Sequence, residues 1–132
     1  MSATRYSEAV ILNKMTDLIK LANINLNHFP RHEKYGLSQE IRRVMYDVYN
    51  LMVEGEKRFF KKTSLTELDI KHQQLRMMLK LAFELGYFKY HNAKSSRGEN
   101  EESRRYMALN LLVNEVGAMI GGWIKSELEK LK

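Results

Sequence analysis

Cysteine is absent from the 132 residues, which excludes disulfides and thiolate metal sites. A reducing, cytoplasmic setting is the simplest one for such a chain. Proline occurs once, at Pro30, so few positions are forced out of helical geometry. The start, MSATRYSEAVILNKM, lacks the basic opening and apolar run of a secretory signal. No apolar segment approaches the roughly 20 residues of a membrane span. Even the Val116 to Ile124 stretch follows Asn114 and Glu115 and precedes Lys125 and Glu127.

Catalytic signatures are missing too. There is no Gly-x-Ser-x-Gly elbow, no phosphate loop and no Gly-x-Gly-x-x-Gly turn. Di-metal helical bundles need Glu-x-x-His from two helices, with further carboxylates. Asp69-x-x-His72 is the nearest match, and it occurs once at helical spacing. His72 also falls on an apolar stripe, where a hydrogen-bonded core or interface histidine is the better reading than a ligand. The expectation is a protein with no catalytic residues, no metal site and no cofactor.

What remains is rich in helix formers, and the chain reads as all-α. Lys and Arg total 22 against 16 for Asp and Glu, a net charge of +6 that leans toward polyanionic partners.

Four amphipathic segments follow one another. Residues 7–27 repeat Ile11, Met15, Leu18 and Ala22 at helical spacing, with Leu12, Ile19 and Leu26 alongside, and stop before Pro30. Residues 37–60 carry the cleanest seam, Leu37, Ile41, Val44, Val48 and Leu51, widened by Met45 and Met52. Ser38 is a possible cap there. Residues 64–85 open on Ser64 with Glu67 three later, a capping-box pattern. Their stripe is Leu65, Leu68, His72, Leu75, Leu79 and Ala82, and Gly86 suits a left-handed C-terminal turn. Residues 89–103, KYHNAKSSRGENEES, are polar and aperiodic, as a flexible loop would be. Residues 101–130 repeat Leu109, Leu112, Val116, Met119 and Trp123, flanked by Val113, Ile120 and Ile124. One domain is expected, an antiparallel up-down four-helix bundle. The methionines on or beside these stripes, Met45, Met52, Met78 and Met119, read as core filler.

Within the last helix stand Gly117, Gly121 and Gly122, each costing about 1 kcal/mol relative to alanine. Gly117 and Gly121 are four apart and share a face beside the bulk of Trp123. Such a small-x-x-x-small pattern permits close backbone approach. These four residues therefore read as close packing, inside the bundle, between subunits, or both.

Basic residues cluster at Arg42 and Arg43, at Lys57, Arg58, Lys61 and Lys62, and at Arg104 and Arg105. Residues 29–62, which also hold Arg31 and Lys34, carry half of the net charge. Tyr46, Tyr49, Phe59 and Phe60 lie among them, as stacking surfaces for single strands would. No base-reading motif accompanies them, so contacts to nucleic acid would go to phosphates, independent of sequence and sensitive to salt. Neighbours on a helix diverge by about 100°, so Arg42 and Arg43 should take different roles.

FPRHEKYGLSQEIRR, Phe29 to Arg43, resembles the Phe-Pro-x-x-Glu-x-Tyr-Gly-Leu-x-x-x-Ile-Arg pattern shared by two groups of small bacterial four-helix proteins. One is the ribosomal-RNA intervening-sequence proteins. The other is the accessory variability determinant (Avd) family of diversity-generating retroelements. LTELDIKHQQLRMMLKLAFELGYF, Leu65 to Phe88, and VNEVGAMIGGWIK, Val113 to Lys125, are similar to the Avd patterns. The resemblance implies a bundle that assembles into a basic homopentameric ring or barrel. It also implies a non-enzymatic accessory that binds reverse transcriptase and RNA or DNA and supports mutagenic copying of a template. An intervening-sequence-type interaction protein, with no reverse transcriptase partner, is the alternative. Glu99, Glu101 and Glu102 depart from the expected basic surface, and would weaken it locally.

Overall fold

A computed structural model of the chain describes residues 2–58, 61–90 and 98–130, with side chains from 10–58, 61–90 and 101–130. It contains four α-helices: α1 (Ser2–Leu26), α2 (Leu37–Lys57), α3 (Lys62–Glu84) and α4 (Gly98–Lys130). A single 3-10 turn, Arg31–Glu33, separates α1 from α2, and there is no strand among the described residues. The protein is a four-helix bundle. Each helix packs against its neighbours in sequence, and α1 closes the set against α4.

The facing registers show how the chain runs. Glu54 of α2 meets Ser64 of α3, and Asp47 meets Lys71, so numbers fall on one helix as they rise on the other. Between α3 and α4 the pairs are His72 with Val113 and Phe83 with Tyr106. Lys14 and Glu115 join α1 to α4 at 2.8 Å. These ion pairs are partly exposed, where such a pair contributes little to stability. Burial of the apolar stripes is the main stabilising term.

The core follows the sequence periodicity closely. Ile11, Met15, Leu18 and Ala22 are buried on α1, and Ile41, Val44, Met45, Val48 and Met52 on α2. All six residues of the α3 stripe, from Leu65 to Ala82, are buried. On α4 Leu109, Val116 and Trp123 are buried as expected, but two positions of the line move by one residue. Leu109, Val113, Val116, Ile120 and Trp123 face inward, while Leu112 and Met119 are only half-buried beside them. Met78 and Met119 pack against the core from its margin.

Several boundaries differ from the sequence reading, each for a local reason. Helix α1 starts at Ser2, five residues before the expected position. Helix α2 ends at Lys57 rather than at residue 60, because Arg58 turns to extended backbone at φ −76° and ψ 142°. Phe59 and Phe60 lie outside the described residues. Ser64 does not open α3, which starts at Lys62 and has no side-chain cap. Its hydroxyl is instead buried and donates to Glu54 Oε2 of α2 at 2.8 Å. Ser38 is likewise buried and does not cap α2. The polar stretch 89–103 is not all loop: residues 91–97 lie outside the described residues, and α4 already runs from Gly98.

The end of α3 is as expected. Gly86 takes φ 81°, and Tyr87 N–H donates to Ala82 O while Gly86 N–H donates to Phe83 O. This is the Schellman arrangement that a left-handed glycine permits.

One expectation needs amending. Glu101–Lys130 of α4 is long and apolar enough to cross a membrane, by length and composition alone. Its Leu109, Val113, Val116 and Ile120 are, however, committed to the core of the bundle.

Candidate nucleic-acid and partner interface

The eight basic residues picked out by sequence fall into two sets. Arg42 and Arg43 sit near the start of α2, and Arg104 and Arg105 near the start of α4, at the end of the bundle where α1 and α3 finish. Lys57, Arg58, Lys61 and Lys62 sit at the α2–α3 junction, where Trp123 of α4 also lies. Fourteen residues of helix separate Arg43 from Lys57, about 21 Å at 1.5 Å per residue. The two sets are thus distinct sites on one protomer.

Arg42 and Arg43 divide as helix geometry requires. Arg42 is half-buried and reaches across to the last turn of α1, donating to Asn23 Oδ1 at 3.1 Å and Asn27 Oδ1 at 2.8 Å. It is a strut between two helices. Arg43 is exposed and pairs with Glu40 one turn earlier, which holds its pKa above the ordinary guanidinium value. Arg104 also points outward, 3.7 Å from Glu101. At the opposite end Arg58 pairs with Glu54 at 3.3 Å, and the Lys61 ammonium lies 5.8 Å from the Trp123 ring centre. Lys57 and Lys62 are exposed.

Around the first set the chain builds a dense aromatic cluster. Phe88 is fully buried, edge-on to Phe29 and Tyr106, and Phe83 stacks on Tyr106 at 4.4 Å. Glu33 ties the linker down. Its Oε1 accepts the Leu37 N–H at 3.0 Å, and its Oε2 accepts the Tyr87 hydroxyl at 2.7 Å. Those two donors hold the carboxyl below its ordinary pKa, and the same bond raises that of Tyr87. Glu33 therefore supplies the start of α2 with the acceptor that Ser38 does not.

Tyr90 is a second anchor. Its hydroxyl donates to Asn25 Oδ1 at 2.9 Å, and Asn25, 2% exposed, donates back to Leu21 O at 3.0 Å. One face of the Tyr90 ring stacks on His28 at 3.9 Å, nearly parallel. The Arg105 guanidinium lies 3.5 Å from the same ring centre. Two groups so near one centre must lie on opposite faces, so Tyr90 is sandwiched. Arg105 is fixed in turn by donating to Phe88 O at 2.9 Å.

Sequence reasoning missed Asn25, His28, Glu33, Tyr87 and Tyr90. Asn25 left a signal, since it is a polar residue seven after Leu18 on the buried face of α1. Tyr90 left none, because it stands in an aperiodic polar stretch. Of the expected stacking aromatics, Tyr46 is exposed and hydrogen-bonds Asn23, while Tyr49 packs against the core.

The close-packing residues also separate. Gly117 faces α3, where His72 and Arg76 fill the space beside it. His72 is buried, and its Nε2 donates to Val113 O at 2.8 Å, which makes it a core histidine that clamps α3 to α4. A carbonyl only accepts, so Nε2 carries the proton. Trp123 covers Gly55 of α2, where a Cβ would approach its Cη2 to 3.0 Å. Gly121 and Gly122 are exposed, with open space where side chains would stand. They continue an outward face of α4 that also presents Met107, Leu111 and Ala118. The neighbouring α3 exposes Ile70, Met77 and Leu81, and Leu85 just past its end is exposed too.

Fold and surface together define a class: a small four-helix protein with basic groups at both ends and apolar stripes left outward on two helices. The model of the bAvd-like family matches residues 9–127, nearly the whole chain, and the protein belongs to that family. A search of curated proteins found no match.

Proposed function

We propose that the protein is a non-enzymatic accessory factor of a diversity-generating retroelement, acting in the cytoplasm. It binds reverse transcriptase and template nucleic acid through basic surface residues and supports mutagenic copying into a variable gene. The observation that carries this reading is membership of the bAvd-like family over residues 9–127. The net charge of +6 supports a polyanionic partner.

In this reading the protomer is an up-down bundle, and several copies, five by family resemblance, close into a ring. The outward apolar faces of α3 and α4 support such an assembly. Ile70, Met77 and Leu81 lie within about 40° of one another around α3, and each is 46–52% exposed. Met107 and Leu111 on α4 are more exposed still, at 67% and 59%. Stripes of this kind favour burial against another chain. Gly121 and Gly122 would then admit a neighbouring subunit close to the α4 backbone.

Among the basic residues, Arg43, Lys57, Lys62 and Arg104 are the exposed ones best suited to phosphate or polymerase contact, with Arg58 and Lys61 beside them. Arg42 and Arg105 contribute through the surface they brace.

The test is co-purification of the tagged protein with a diversity-generating-retroelement reverse transcriptase, with and without charge reversal at Arg43, Lys57, Lys62 and Arg104. Retention by the native protein and release by the reversed variants is the expected result. Undiminished retention after all four reversals contradicts the assignment of these residues.

A further inference from the structure

We propose that the outer face of His28 is a stacking platform for an unpaired nucleobase. The inference rests on the nucleic-acid reading above and deepens it, since it specifies the form of strand that is taken and where.

The platform is the open end of the three-layer stack Arg105–Tyr90–His28. Its two inner layers are held rigidly. The Tyr90 hydroxyl is fixed by Asn25, a residue 2% exposed that is itself bonded to Leu21 O, and Arg105 is fixed by Phe88 O. The interplanar angle between Tyr90 and His28 is 15°, so the stack is flat. The third layer differs. Among the described residues His28 stacks only on Tyr90, and the residue is exposed. Its position is also set: α1 has ended at Leu26, and the His28 N–H donates to Asn25 O at 3.0 Å. A flat, exposed, pre-ordered ring with a cation behind its partner offers a base little ordering cost on stacking.

The surroundings favour a strand over a lone base. Arg31, three residues along, and Arg104, next to Arg105 in sequence and 3.7 Å from Glu101, are both exposed cations that can take phosphates of a bound strand. A paired base has its faces covered by its neighbours in the duplex, so the platform selects single strands, loops or frayed ends. Stacking is tolerant of sequence, since every base has a π-face.

The experiment uses the full chain and a short single-stranded RNA carrying one 2-aminopurine, with a duplex of matched length as control. Affinity is read by anisotropy, stacking by 2-aminopurine quenching, and fold by circular dichroism. Binding of the native protein should quench the probe. His28→Ala should weaken single-strand binding about fivefold to tenfold and abolish most of the quench, with duplex binding unchanged. His28→Phe, which keeps a flat ring, should retain both affinity and quench.

Strand binding with no quench, and no change in His28→Ala, overturns the platform and leaves the nucleic-acid reading intact. Equal losses for strand and duplex in His28→Ala also overturn it, because the residue would then act through charge or fold. No binding of either RNA by the native protein overturns the underlying reading and the platform together.

Discussion

The imidazole of His72 occupies the space that a side chain at position 117 would need. A Cβ on Gly117 would stand 2.7 Å from His72 Cε1 and 3.0 Å from Arg76 Nη2. The glycine lets α4 approach α3 closely enough for His72 to reach Val113 O. Its helix-propensity cost is thereby offset by a buried hydrogen bond and tight packing.

Gly117→Ala should therefore destabilise the protein, although alanine is the better helix former. Overpacking costs about 1–3 kcal/mol, and the propensity gain returns about 1 kcal/mol. A net loss near 1 kcal/mol in denaturant unfolding is expected. An increase in stability would show that His72 and Arg76 move aside freely.

Gly121 behaves differently because its Cβ would meet only open space within the protomer. Gly121→Leu should preserve helicity while lowering the solution mass, since in the proposed assembly its bulk would meet a neighbouring subunit. An unchanged mass, read by light scattering, removes this glycine from any contact between copies.

His72 gives a pH dependence of definite sign. Burial holds its pKa below the ordinary 6.5, Arg76 adds to the depression, and the bond to Val113 O and the charge of Asp69 oppose it. The folded state prefers neutral imidazole, so the unfolded chain binds the extra proton. This contribution is complete above about pH 6.5 and is lost as pH falls through the folded value. Urea unfolding between pH 7.5 and 5 should show a fall in stability that His72→Gln reduces. Parallel curves for the two proteins would contradict the assignment.

Glu33 and Tyr87 should be energetically coupled through their 2.7 Å hydrogen bond. Glu33→Ala and Tyr87→Phe each remove it, so the double variant should lose less than the two singles together. A favourable coupling is expected from a double-mutant cycle in thermal or urea unfolding. Strict additivity would mean that the bond contributes nothing to the folded state.

Periodicity made the fold readable. The stripes of α1 and α3 are buried, and so is the middle of the α2 stripe, Ile41, Val44 and Val48, while Leu37 and Leu51 at its ends are half-buried. The α4 stripe held at Leu109, Val116 and Trp123 but moved from Leu112 and Met119 to Val113 and Ile120, since these adjacent residues are all apolar and one dimension does not rank them. Ser64 misled for another reason: a serine before an acid looks like a cap, but here its partner is Glu54, ten residues back in sequence. The candidate interface was less legible. Basic pairs such as Arg42 and Arg43 are visible as charge, yet only the fold turns one inward to Asn23 and Asn27 and leaves the other outside. The His28–Tyr90–Arg105 stack joins three segments that no local pattern links.

The assembly and its ligand can be read together in one measurement: solution mass by light scattering on a sizing column, with and without a single-stranded RNA, at two salt concentrations. The account predicts a closed oligomer of about five copies that takes up RNA at moderate salt and releases it as salt rises. A monomer or dimer that ignores RNA at both concentrations would contradict it.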